Sequence, residues 1–233
     1  KWKICYKKFL LMTIKKRKFK YLRDLLVRGR YEQTLSLSIA KIIEDNITGN
    51  NIKILDYGSG IEPTITQMVR DHLSKISVNI VSHGYDLYDN NQIKKLNNIS
   101  KNEYYFKSSE LNSSNEFYDF AILSDVLHHM NIENEELIKS TLKSIKSKSR
   151  YIIVKDHFQY GFFSNQIIRF MDFFGNLNSN IKTPKKYYST KQFNSLIGSL
   201  DLNVKYKVLN NRYHPKIFIF FNNPKYHFIY LLE

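Results

Sequence analysis

A single cysteine, Cys5, stands in 233 residues, so neither an intrachain disulfide nor a cysteine-built metal cluster is available. That usage fits a reducing compartment, and a cytoplasmic location is expected. No apolar run reaches the roughly 18 residues that a membrane-spanning helix requires. Lysines interrupt the apolar stretch near the start and no small-residue cleavage site follows it, so a secretory signal is not expected. Wholesale disorder is excluded by a hydrophobic content of 42% and an aromatic content of 15%. There is no internal repeat and no obvious interdomain linker, and a chain of this length suits one α/β domain with a sizeable core.

Acidic residues are outnumbered, 21 against 36 Lys and Arg, for a net charge of +15. The excess is local. Residues 1–30 hold 12 Lys and Arg against Asp24 alone, a contribution of +11, whereas residues 31–233 contribute only +4. Within this arm Ile4, Leu10, Leu11, Ile14, Tyr21, Leu22, Leu25 and Leu26 interleave with Lys7, Lys8, Lys15, Lys16, Arg17, Lys18 and Lys20. Such a pattern suits an amphipathic helix on an anionic membrane surface, a contact with a phosphate backbone, or a solvated helix packing one face on the body. A peripheral membrane location is therefore open.

Beyond the arm, apolar spacing predicts helices over Tyr31–Asp45, Pro63–Leu73, Glu133–Ile145, Phe162–Phe174 and Thr190–Leu200. Predicted strands lie at Ile52–Tyr57, Val78–Tyr85, Tyr104–Lys107, Phe117–Leu123 and Tyr151–Lys155, with two late β-prone runs at Asn203–Leu209 and Ile217–Phe221. Continuous apolar strands alternating with helices call for a parallel sheet covered on both faces, and the short connection between the last two runs permits an antiparallel end.

In open sheets of this kind ligands sit beyond the carboxyl ends of the strands. Here those ends carry Asp56, Asp86, Ser108 and Ser109, Ser124 and Asp125, and Asp156 and His157. The run Ile52–Gly60 ends in Asp56-Tyr57-Gly58-Ser59-Gly60, where the glycines let backbone approach a ligand. Asp86 follows Gly60 by 26 residues, at the next strand end, where a carboxylate can take both ribose hydroxyls. The third glycine of a dinucleotide turn is missing: Ile61, Glu62 and Pro63 follow Gly60, and Glu62 repels phosphate. A nucleoside cofactor with an ammonium group and no phosphate fits better.

These residues resemble those of class I S-adenosylmethionine-dependent methyltransferases. Ile54–Gly60 is similar to the family's first motif and Gly84-Tyr85-Asp86-Leu87 to its ribose-binding strand end. Phe117–Met130 is similar to the fourth-strand motif and Tyr151–His157 to the fifth strand. The resemblance, over about residues 28–221, implies a Rossmann-like three-layer αβα sandwich with a mostly parallel seven-stranded sheet and an antiparallel last strand. It implies a methyltransferase domain over residues 31–233, with an acceptor-side insertion at about 157–190, preceded by the basic arm.

The resemblance further implies S-adenosylmethionine as cofactor. Its binding residues would be Asp56, Gly58, Ser59, Gly60, Asp86, Leu87, Ser109, Ser124 and Asp125: Gly58 and Gly60 beside the methionine part, Asp86 on the ribose, Ser109 near adenine, and Ser124 with Asp125 under the sulfonium. Arg28 or Arg30 could reach the cofactor carboxylate. Methyl transfer chiefly needs alignment of the acceptor. Where the acceptor is a hydroxyl, His129, His128 or His157 is a candidate base, with Asp125 at the same strand ends. No metal is expected. The aromatic stretch from Asp156 to Ser189 suits a small-molecule, glycan or lipid-linked acceptor, or else forms core. RNA is an alternative acceptor, favoured by the arm and opposed by the absence of an Asn/Asp-Pro-Pro-Tyr motif. A catalytically silent binding module with the same fold is another alternative.

Overall fold

The computed structural model describes residues 29–99, 103–107, 111–113, 115–130, 132–176, 182–210 and 223–233. Most of the basic arm, Ser108, Ser109, Arg28 and the expected strand Ile217–Phe221 lie outside the described residues.

The chain opens with helix α1 (Gly29–Glu44), whose Leu35, Ile39, Ile42 and Ile43 fall on one face and are all buried. Strand β1 (Asn51–Tyr57) follows, then α2 (Thr64–Leu73), β2 (Asn79–Tyr85), α3 (Asn90–Ile99) and β3 (Tyr104–Lys107). The second half is β4 (Tyr118–Ser124), α4 (Glu135–Lys148), β5 (Ser149–His157), α5 (Phe162–Gly175), α6 (Thr190–Gly198), β6 (Val204–Leu209) and β7 (His227–Leu232). Helix starts carry their own signals: the Asn134 side chain accepts from Leu137 N–H at α4, and Ser189 with Gln192 makes a capping box at α6. Pro63 stands just ahead of α2 rather than inside its first turn.

The seven strands form one sheet in the order β3-β2-β1-β4-β5-β7-β6. The pairs among β1 to β5 are parallel, and β7 runs antiparallel to both β5 and β6. Because successive strand side chains point to opposite faces, the central strands are buried on both. Leu55, Ala121, Leu123, Ile152, Val154, Phe228 and Tyr230 pack against α4 and α6. Ile54, Phe120, Ile122, Ile153, Ile229 and Leu231 pack against α1 and α2. This is the expected three-layer sandwich.

Two departures concern elements. Helix α3 was not expected; it is mostly polar, and of its apolar Ile93, Leu96 and Ile99 only Leu96 is buried. The strand that pairs with β5 is β7, six buried residues near the end of the chain that sequence reading did not list as a strand. A run as uniformly apolar as His227–Leu232 shows no alternation to read, because both of its faces are covered.

Candidate active site

The strand order reverses between β1 and β4, which opens a crevice at their carboxyl ends. On the β1 side the chain turns through Gly58 at φ +78 and Gly60 at φ +63, a region that side chains rarely adopt. A Cβ on Gly58 would also lie 2.5 Å from a methyl of Val126. The turn is laced to the end of β2: Gly58 N–H donates to Tyr85 O at 2.8 Å, and Gly60 N–H donates to Asp86 Oδ2, also at 2.8 Å. The other oxygen of Asp86 accepts from Leu87 N–H at 2.6 Å. Asp56 is buried beneath this turn, where its carboxylate accepts from Tyr104 Oη at 3.0 Å. Burial pushes its pKa up to about 6, with Thr66 and Tyr104 opposing through hydrogen bonds and Asp86 adding repulsion.

On the other side of the crevice a dense polar cluster closes the ends of β4 and β5. Asp125 follows β4 in a left-handed conformation, φ +57, and its backbone N–H donates to Lys155 O at 2.9 Å. Its carboxylate accepts from Tyr31 Oη of α1 at 2.6 Å and from the ammonium of Lys155, which is fully buried and lies 4.9 Å from the Tyr31 ring centre. Burial works to raise the Asp125 pKa, but Lys155, His157 and His128 together hold it below the usual range.

The turn Leu127–Met130 then places two histidines under α5. His128 is buried; its Nδ1 meets Asp156 Oδ1 at 2.5 Å and its backbone N–H donates to Asp156 Oδ2 at 3.2 Å. Burial alone would favour the neutral ring, but the charge and hydrogen bond of Asp156, with Asp172 and Asp125 behind it, raise its pKa to about 10. Asp156 is correspondingly held well below its ordinary value despite its burial. His129 and His157 behave oppositely. Burial and the positive charge of His128 lower the first, and burial and Lys155 lower the second, so both are neutral imidazoles at physiological pH. The antiparallel pairing of His157 with His227 on β7 sets their rings 4.7 Å apart.

No family model matches the chain. No curated protein matches it either. Solved structures do. Magnesium protoporphyrin IX methyltransferase from Synechocystis PCC 6803, with bound S-adenosylhomocysteine, superposes at a TM-score of 0.57 and 14% identity, over 88% of this chain and 84% of that one. An O-methyltransferase family 2 protein from Planctomyces limnophilus, in complex with apigenin, superposes at 0.55 and 13%, over 87% of this chain and 61% of that one. The 1,6-didemethyltoxoflavin-N1-methyltransferase of Burkholderia thailandensis, with 1,6-didemethyltoxoflavin and S-adenosylhomocysteine, superposes at 0.54 and 11%, over 85% and 77%. The chain has the class I methyltransferase fold.

Within that methyltransferase fold, the expected cofactor residues fall at one crevice where they are described. Gly58, Ser59, Gly60 and Asp86 form the laced turn, and Ser124 ends β4 with its hydroxyl buried and without a hydrogen-bond partner. Leu87 is 88% exposed beside Asp86. Asp56 is taken up by Tyr104 inside the sheet, which makes it a brace for the turn. Glu62, which replaces the third glycine, is exposed.

The expected catalytic residues Asp125, His129 and His157 share the polar cluster. The Asp156 carboxylate accepts the His157 backbone N–H at 2.7 Å, and His157 Nδ1 lies 3.3 Å from Asp125 Oδ1 and 3.7 Å from Asp156 Oδ1 without hydrogen-bond geometry. Sequence reading missed Tyr31 and Lys155 on Asp125, Asp172 beside His128 and His129, and Tyr187, whose ring lies 5.2 Å from that of His128. Asp172 lies within the aromatic stretch, at Asp172-Phe173-Phe174-Gly175-Asn176. The aromatic segment divides between the two expected fates: Phe158, Tyr187 and Tyr188 are buried, whereas Phe162 and Phe163 are 71% and 82% exposed.

Proposed function

We propose that the chain is an S-adenosylmethionine-dependent methyltransferase acting on a small-molecule acceptor at oxygen. The laced turn carries this reading: two left-handed glycines are joined to a strand-end carboxylate at the point where the strand order reverses, and the adjacent strand β4 ends in a buried hydroxyl without a hydrogen-bond partner. Bound there, S-adenosylmethionine supplies a methyl carbon activated by positive sulfur, with a neutral thioether as leaving group. Gly58 and Gly60 would leave room for its amino-acid part, Asp86 would take its ribose hydroxyls, and Ser124 and Asp125 would lie beneath the sulfonium. The rest of the work is alignment and exclusion of water, which the cover of α1 and α5 serves.

A hydroxyl acceptor must also lose a proton. His157 suits this role, since it is neutral, 85% buried by its side chain and has an Nδ1 without a hydrogen bond at the strand ends. His129 is the second candidate. The glycan and lipid-linked acceptors belong to the same reading, and the exposed Phe162 and Phe163 favour an apolar one.

Incubation of the purified chain with methyl-labelled cofactor and fractionated cell extract tests this. Label in a low-mass or lipid fraction is expected, with His157→Ala slowing transfer roughly 100-fold at unchanged cofactor affinity. Label confined to RNA would favour the nucleic-acid alternative, and cofactor binding without any transfer would favour a silent module.

A further inference from the structure

His128 and His129 are consecutive residues of one turn, and both present Nε2 to the same carboxylate. Each Nε2 lies 3.7 Å from Asp172 Oδ1, and the two rings are 4.0 Å apart at 48°. At that separation neither nitrogen is hydrogen-bonded to the oxygen. Two bonds of about 2.1 Å, meeting at an open angle, span it well.

The surroundings are those of a ligand set. Asp156 takes Nδ1 of His128 at 2.5 Å, fixing the ring and leaving Nε2 directed at Asp172, which is how a carboxylate backs a metal-bound imidazole. Asn176 Nδ2 donates to Asp172 Oδ1 at 2.8 Å and fixes that carboxylate in turn. Asp172 Oδ2 and His129 Nδ1 are buried with no hydrogen bond of their own. The neighbouring set of Asp125, His128, Asp156 and His157 is equally compact, but the Lys155 ammonium already stands on Asp125, and Asp156 is used by His128 and two backbone N–H groups.

We propose that His128, His129 and Asp172 bind one divalent transition-metal ion. Two imidazoles and one carboxylate favour zinc and its neighbours over magnesium or calcium, and three protein ligands leave coordination positions for water or an acceptor oxygen. The orientation of an acceptor oxygen by this ion rests on the methyltransferase reading; the binding itself does not.

The test uses the full chain without an affinity tag, stripped with a chelator and titrated with Co2+. One equivalent should bind and give the visible absorption of a nitrogen-ligated, low-coordinate cobalt ion. His129→Ala and Asp172→Asn, both at partly exposed positions, should each weaken binding at least ~10-fold with circular dichroism unchanged, and Asp156→Asn should weaken it about 10- to 100-fold by loosening its hold on the His128 ring. A spectrum of aquated cobalt only, binding untouched by both ligand substitutions, or loss on Asp125→Asn alone would overturn the site. Calorimetry of S-adenosylmethionine on the same samples separates the two readings. Cofactor bound without metal overturns the metal site alone; metal bound without cofactor supports the site and counts against the methyltransferase.

Discussion

Two buried groups on neighbouring strands couple stability to pH in opposite directions. His83 is buried in β2 against Tyr118 Oη at 3.0 Å. Burial and Lys107 lower its pKa to about 4, with Glu116 opposing and Lys53 adding to the fall. The unfolded chain protonates this ring near 6.5, so its contribution is complete above that pH and is lost as pH falls toward 4. Asp56 is the reverse: its folded pKa of about 6 exceeds the unfolded value near 3.9, so its contribution is complete below 4 and lost as pH rises through 6. Each shift is on the order of 2–3 kcal/mol. Denaturant midpoints at pH 4 and pH 7.5 should therefore show His83→Gln gaining on the parent at acid pH and Asp56→Asn gaining on it at neutral pH; parallel curves would refute both linkages. Asp86, Asp125 and His157 were legible as candidates because a parallel sheet brings its strand ends to one edge, whereas Asp56 at the same edge is taken up by Tyr104. Asp172 and Tyr187 were not, since their meeting with His128 depends on how α5 and the segment after it fold back over those ends, which no spacing in the chain encodes.

Strand β7 is the element on which the second half of the sheet depends. It separates β5 from β6, and its six residues are buried on both faces. Phe228 stacks on Phe158 at 3.9 Å and 15° and lies 4.9 Å from the Phe193 ring of α6. Phe228→Ala should cost about 3–5 kcal/mol in chemical denaturation, because the gap lies between a strand and a helix that cannot collapse onto it. A loss below about 1 kcal/mol would mean that this end of the sheet is not packed as described. The long apolar strands β1, β4 and β5 and the amphipathic α1, α2 and α4 were readable from period and length. What was unreadable has a physical cause: α3 is a polar helix over a small cluster, and β7 has no dry and wet face to alternate between.

At the scale of the molecule, charge and chemistry are segregated. The arm of residues 1–30 holds most of the net charge, and the sandwich beside it is nearly neutral. No helix among the described residues is long and apolar enough to cross a membrane. Deletion of residues 1–27 should abolish sedimentation with anionic liposomes while leaving cofactor affinity nearly intact; unchanged liposome binding would reject a membrane role, and a selective loss of RNA binding would move the arm's target to nucleic acid. The fold was legible from the order of motifs alone, whereas the acceptor is not, because acceptor pockets are built from side chains grafted onto a common frame. The proposed methyl-donor site is where sequence, turn geometry and fold meet, and isothermal titration of the full chain with S-adenosylmethionine addresses it directly. One site per chain is expected, with binding weakened at least ~10-fold in Asp86→Ala. Absence of heat at millimolar cofactor, or an affinity indifferent to Asp86→Ala, would contradict the assignment.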